Sequence, residues 1–238
     1  MEKGLGLAAA GARAQSEALD VVASNLANAG TAGFRAQRVS FREALDTASA
    51  QGASVVGATT AVDSTAGALR RTDNPLDLAL SRDGYLAIDT PGGVRYTRAG
   101  GLELDPTGAL ATADGSLVRG RGGAHIQIPP GAARIEVTEE GAVRADGAEV
   151  GTLELVRFAP DALTQEGGGR FAVVPGGAPL TGEGPRVESG VVEQSNVNPV
   201  RGVMDLVRIT RTYEALHRMI EMYGQLDKRV AQEMGKPR

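Results

Sequence analysis

Leu206-Val207-Arg208-Ile209-Thr210-Arg211-Thr212-Tyr213-Glu214-Ala215-Leu216-His217-Arg218-Met219-Ile220-Glu221-Met222-Tyr223 carries the strongest pattern in the chain. Its apolar positions Leu206, Ile209, Tyr213, Leu216, Ile220 and Tyr223 step by three and four in alternation, break at Asp227 and resume at Val230. That spacing is the seam of a helix made to lie along another helix. A matching seam sits at the opposite end, at Leu5, Ala8, Ala12, Gln15, Leu19, Val22 and Leu26. Between the two runs a Gly-rich body that reads as β. The expected fold class is α+β: N- and C-terminal heptad helices packing together as a coiled-coil-like assembly core, with a central, mainly antiparallel β domain.

Each end of the pattern has a chemical reason. Asn198 suits an N-cap and Pro199 the first turn, so a helix is expected from about 200 to about 234, roughly 50 Å long at 1.5 Å per residue. A small β body covers only part of such a length, so much of the seam faces other helices. At the N-terminus Ala, Leu, Gln and Glu favour helix up to about 28, where Asn28-Ala29-Gly30 stops it. An Ala-rich seam buries little area per turn, so this helix is expected to fray in the free chain and order on docking.

From Thr31 the chain turns polar, with a short helix or extended piece at 39–45 and few large apolar side chains over 46–66. That stretch reads as a linker or a conditionally ordered segment. Short alternating runs then recur between Asp83-Gly84, Pro91-Gly92-Gly93, Asp105-Pro106-Thr107-Gly108 and Asp114-Gly115. These are consecutive hairpins. The expected divisions are 1–30 (N-terminal assembly helix), 31–75 (linker), 76–186 (β domain) and 187–238 (C-terminal segment and assembly helix).

Composition excludes several functions. The net charge of −4 argues against nucleic acid as a partner. Residues 201–238 are mildly basic, but those charges fall between seam positions and read as a solvated helix face. Without cysteine there are no disulfides, thiolate metal sites or Cys nucleophiles. No apolar run approaches the ~20 residues of a membrane span, and no cleavable signal is visible, so work outside the cytoplasm would need another export route.

Catalytic patterns are equally thin, and no catalytic, cofactor-binding or metal residue is nominated. Gly4-Leu5-Gly6-Leu7-Ala8-Ala9 imitates a dinucleotide loop, yet only three residues precede it where a strand is required. His125 and His217 lack ligand neighbours at metal spacing. Glu139-Glu140 reads as a hairpin tip and Arg119-Gly120-Arg121-Gly122-Gly123 as a turn. An enzyme on the β body is therefore disfavoured. An adhesin or other secreted coiled-coil/β structural module that uses the same end-helix design is the other reading.

Three stretches carry a family resemblance. Ala23-Ser24-Asn25-Leu26-Ala27-Asn28-Ala29-Gly30-Thr31-Ala32-Gly33-Phe34-Arg35 resembles the "ANNLANxxTxGFK/R" motif of the flagellar rod and hook family of axial proteins. In it Gly33 permits a turn before an anchoring Phe34; Ser24 and Gly30 depart from the pattern. Thr72–Leu80, with Asp83–Leu86 and Arg95–Gly100, resembles the start of that family's β domain. Gly190-Val191-Val192-Glu193-Gln194-Ser195-Asn196-Val197-Asn198-Pro199-Val200 resembles its "LExSNVxxV" entry to the last helix.

Length and the Ser-Asn-Val-Asn-Pro form look most like the proximal-rod members, with the distal-rod members near neighbours. The resemblance implies a non-enzymatic subunit of the periplasm-spanning rod, the drive shaft that transmits torque from motor to hook. It further implies export by the flagellar type III apparatus without signal cleavage, other rod subunits as partners, and no direct membrane insertion. The residues expected at the assembly interface are Leu5, Ala12, Leu19, Val22, Leu26, Asn28, Phe34, Leu206, Ile209, Tyr213, Leu216, Ile220 and Tyr223.

Overall fold

A computed structural model describes residues 2–45, 54–81, 83–159, 162–182 and 184–234 of the chain. The N-terminal heptad stretch forms helix α1, Glu2–Ala27. The Gly4–Ala9 imitation lies inside this helix, where a phosphate loop has no place. Two nine-residue strands follow, β1 (Gln37–Leu45) and β2 (Ser54–Val62), paired antiparallel from Gln37 opposite Val62 to Leu45 opposite Ser54. They occupy much of the stretch read as linker; residues 46–53 of it lie outside the described residues.

Short strands succeed one another from Leu69. They are β3 (Leu69–Arg71), β4 (Leu78–Leu80), β5 (Gly84–Thr90), β6 (Gly93–Thr97), β7 (Leu102–Leu104), β8 (Leu110–Thr112) and β9 (Leu117–Val118). Then come β10 (Ile135–Val137), β11 (Ala142–Ala145), β12 (Ala148–Thr152), β13 (Leu155–Arg157), β14 (Leu163–Glu166), β15 (Arg170–Val173), β16 (Val187–Ser189) and β17 (Val191–Glu193). The largest sheet runs β14-β15-β6-β5-β9-β8-β7, with β13 also pairing β5. A second runs β10-β11-β12, and two ribbons pair β16 with β4 and β17 with β3. Every pairing among the named strands is antiparallel.

The turns behave as their residues dictate. Between β7 and β8 the Asp105 carboxylate accepts the Thr107 and Ala109 amides at 2.8 Å each, and Gly108, without a Cβ, supplies the positive φ of 85° that the turn uses. Glu139 and Glu140 sit at the exposed tip between β10 and β11. With Trp absent, the core is aliphatic: Leu86, Ile88, Leu110, Val118, Val143 and Leu153 are almost completely buried. Full burial of each such side chain contributes ~1.5–3 kcal/mol. Beside them Tyr85 meets Phe158 and Phe171 edge-on, and Tyr96 meets Phe158 at 4.7 Å.

The 36-residue helix α2, Pro199–Met234, closes the chain. Asn198 caps it: its side-chain oxygen accepts the Arg201 amide at 3.1 Å and its carbonyl the Gly202 amide at 2.9 Å. The chain divides into two units, neither of them continuous in sequence. A helical unit takes α1, β1, β2 and α2; a β unit takes the described residues of 28–36 and 64–197. The β body thus reaches back to Leu69–Arg71, inside the stretch read as linker. Two adjacent arginines on this exposed strand hide the alternation that would have announced it.

Candidate assembly interface

Helices α1 and α2 pack against each other within the helical unit. Gly11 lies against the Leu216 methyl groups and Gly202 against Leu26, so the pair is antiparallel and in a fixed register. A Cβ at Gly11 or Gly202 would meet its partner at 3.5 or 3.7 Å, an ordinary van der Waals contact, so the register is marked by these neighbours and does not depend on glycine. Along α2 the expected seam residues are the sheltered ones: Ile209 is buried, and Leu206, Tyr213, Leu216, Ile220 and Tyr223 are half-buried. Asp227 and Val230 fall where only the backbone is described. On α1, Ala8 and Ala12 are buried, while Leu5, Gln15, Leu19, Val22 and Leu26 are half-buried. The nominated seams therefore face each other inside one chain.

The first helix carries a further buried face that the heptad reading missed. Ala14, Ala18 and Val21 are buried on a stripe roughly 100° around the helix from the α2-facing one. Asn25 continues this stripe and pairs with the first residue of β1: it donates to the Gln37 carbonyl at 2.8 Å and accepts the Gln37 amide at 2.9 Å. So α1 lies between α2 and the β1–β2 hairpin. Alanines on both faces gave the sequence no contrast by which to separate them.

The second helix also has an unfilled face. Val200, Val203, Met204, Val207, Met219, Met222 and Leu226 are all more than 40% exposed and lie on the side of α2 away from the seam. They recur at helical spacing, with Arg211 and Ala215 bridging the middle. Val203, Met204 and Val207 line a shallow groove with Arg208, Arg211 and Thr212. A run of large apolar side chains left in water marks a contact surface.

Asn28 and Phe34 belong to the β unit. Asn28 holds a turn, its carbonyl accepting the Thr31 amide at 3.1 Å. Phe34 is buried against Gly169. The preceding Gly33 adopts φ 67°, and a Cβ there would lie 2.2 Å from the Arg98 carbonyl oxygen. Gly33 is thus a sterically required hinge for the Phe34 anchor, which the sequence had pointed to.

Sequence reasoning missed a buried charge cluster beside that anchor. Glu193 on β17, 3% exposed, is gripped by Arg35 at 2.7 Å and by Arg98 at 2.8 Å, each arginine also buried. The Gly67 amide donates to the same carboxylate at 3.0 Å. Arg98 also donates to the Gly84 carbonyl at 2.5 Å and stacks over the Tyr85 ring. The three charges stand 63 and 95 residues apart in sequence, so no local spacing announced them.

A second, more exposed network joins Asp89, Arg119, His125 and Glu154. Asp89 meets Arg119 at 3.0 Å and the His125 ring at 2.9 Å, while Arg119 donates to Glu154 at 3.1 Å. Partial burial works to raise the Asp89 pKa, but the hydrogen bonds from Arg119 and His125 outweigh it and hold the carboxyl below its ordinary value. His217 lies exposed on α2 against the Tyr213 ring. Among the described residues, no group of three or more His, Cys, Asp or Glu is arranged to hold a metal. None of the described helices is long and apolar enough to cross a membrane.

Comparison with known proteins identifies the family. Residues 5–35 match the family described as "Flagella basal body rod protein". Residues 79–145 match "Flagellar hook protein FlgE/F/G D1 domain", and residues 188–233 match "Flagellar basal body rod FlgEFG protein C-terminal". The chain is 34% identical to flagellar basal-body rod protein FlgF of Rhizobium meliloti over 97% of both chains. It is 36% identical to FlgF of Salmonella typhimurium, over 89% of this chain and 90% of that one. To FlgG of Bacillus subtilis it is 32% identical, over 85% and 88%. Matches that cover both helices and the β unit, in the same order, leave one conclusion: the chain belongs to the flagellar basal-body rod family of FlgE, FlgF and FlgG proteins.

Proposed function

We propose that this chain is a FlgF-type structural subunit of the proximal rod, with no catalytic role. In this reading its terminal helices pack as a coiled-coil-like core with those of neighbouring rod subunits, and the shaft so formed carries torque from motor to hook. The observation that carries it is the second apolar face of α2. The seam from Leu206 to Tyr223 is covered in part by α1, yet Val200, Met204, Val207, Met222 and Leu226 remain in water along the opposite side. A helix with one partly covered apolar face and a second left in water is suited to take a further helix. In this reading 1–30 and 187–238 carry the assembly helices and 76–186 most of the β domain, while 31–75, expected as a linker, supplies the β1–β2 pair and the first parts of the β unit.

Export through the flagellar type III apparatus, and residence in the periplasm-spanning part of the basal body, complete the proposal. The likeness to FlgG of Bacillus subtilis favours a second reading, a distal-rod subunit, which differs in axial position alone. Quantitative mass spectrometry of purified hook–basal bodies tests the proposal. The chain is expected there at the level of the other rod subunits, and its recovery only as a soluble protein would overturn the assignment.

A further inference from the structure

The chain passes between its two units after Ala27, Ala36, Asp63 and Val197. Inside the β unit, the residues beside these passages are gathered at one place. The Gly33 amide donates to the Glu193 carbonyl at 2.7 Å, and the Asn196 amide to the Phe34 carbonyl at 3.3 Å. The Asn196 side chain accepts the Ala36 amide at 2.7 Å and donates to the Thr65 carbonyl at 3.0 Å. Arg35 donates to the Ser64 carbonyl at 2.7 Å and to that of Thr65, while its other end holds Glu193. Residues 33–36, 64–67 and 193–196 are therefore one bundle, and the turns Asn28–Thr31 and Thr31–Phe34 bring in the remaining passage.

The Glu193 carboxylate stands at the middle of this bundle, with Arg35 on one oxygen and Arg98 on the other. Arg98 in turn grips the carbonyls of Leu80, Ser81 and Gly84, so the bundle is tied to β4, β5 and the turn between them. Apolar packing is non-directional, so by itself it fixes the orientation of three passing segments less specifically than hydrogen bonds do. Charge-assisted hydrogen bonds at fixed forks hold them in one register. Buried ion clusters add little net stability over apolar substitutes, so their best-attested use is to fix an arrangement.

We propose that the Arg35–Glu193–Arg98 cluster is a mechanical clamp, by which twisting load leaves the β unit through several bundled chain segments and not through any single one. The clamp itself is a property of this chain; its role under load rests on the rod assignment. Two measurements separate them. Hydrogen exchange of the full-length chain reads the clamp directly, and flagellar rotation in media of rising viscosity reads its role.

In Glu193→Gln, amides of residues 33–36, 64–67 and 193–196 are expected to exchange about tenfold or more faster, while those of 86–88 and 110–118 keep their protection. Arg35→Lys, which keeps the charge but loses the fork, is expected to give a smaller change at the same amides. It decides the matter if the first variant unfolds throughout. Cells carrying either variant are expected to rotate their flagella in dilute medium and to lose rotation in viscous medium. Unchanged exchange at the three segments in both variants would overturn the clamp. Faster local exchange with rotation unaffected at every viscosity would overturn its mechanical role and leave the rod assignment standing. A gene-deletion strain that still builds rods and swims would remove the rod assignment and the mechanical role with it, whatever the exchange data say of the clamp.

Discussion

At Gly33 a single hydrogen in place of a side chain decides whether Phe34 reaches its pocket. Gly33→Ala would combine a left-handed φ with a contact of 2.2 Å to backbone, so a loss of about 2–4 kcal/mol is expected, read by urea denaturation. This feature was legible because a Gly before an aromatic, just after a helix stop, has few other uses. Asn25 was visible in the same motif, but its task, pairing the backbone carbonyl and amide of Gln37, depends on a strand pair that the sequence did not announce. Asp89 gives a residue-level test of a different kind. Its folded pKa lies below the ordinary 3.8, so its contribution is present above that value and is lost as pH falls through the folded pKa. Stability should therefore drop below about pH 4, and Asp89→Asn should flatten that part of the curve, as measured by thermal melts across pH.

At the scale of elements, α2 shows how far a period can be read. The three-four spacing located both its length and its buried face, because Leu, Ile and Tyr contrast sharply with the charges between them. Leu216→Asp would put a charge against Gly11 on α1 and is expected to cost about 2–3 kcal/mol in a half-buried setting, seen as a lowered melting temperature. The opposite face makes the complementary test. Met204→Asp with Val207→Asp alters residues that are 68% and 45% exposed, so the free chain should keep its stability within about 0.5 kcal/mol per site. Rod assembly in a complementation strain should nevertheless fail, and normal swimming would show that this face is idle. Helix α1 was read less fully, since Ala12 and Ala18 are identical residues serving different neighbours. The sequence between β1 and β2 offers no Asn-Gly pair, and the Ser, Gly, Ala and Thr of β2 resemble a linker by composition.

For the molecule as a whole, the terminal motifs and their order made the family and the α+β class readable. The interleaving of the two units was not, because it depends on which distant segments meet. Phe34 and Arg35 precede β1 yet belong to the β unit, so a boundary drawn along the sequence cuts through a core. A fragment of residues 64–197 lacks both and leaves Glu193 with one arginine; a fragment of 28–197 keeps them. The shorter fragment is expected to unfold at lower urea by at least 3 kcal/mol, and equal stability would show that the N-terminal arm is dispensable.

The register that sets Gly11 against Leu216 has a consequence in time. The two partners are about two hundred residues apart, so a chain emerging N-terminus first presents α1 long before α2 exists. Throughout that interval the first helix has no α2 to cover its seam, and the β unit can fold earlier except for the β17 strand that closes it. The helical pair therefore cannot form until nearly the whole polypeptide has emerged, whatever order the other contacts take.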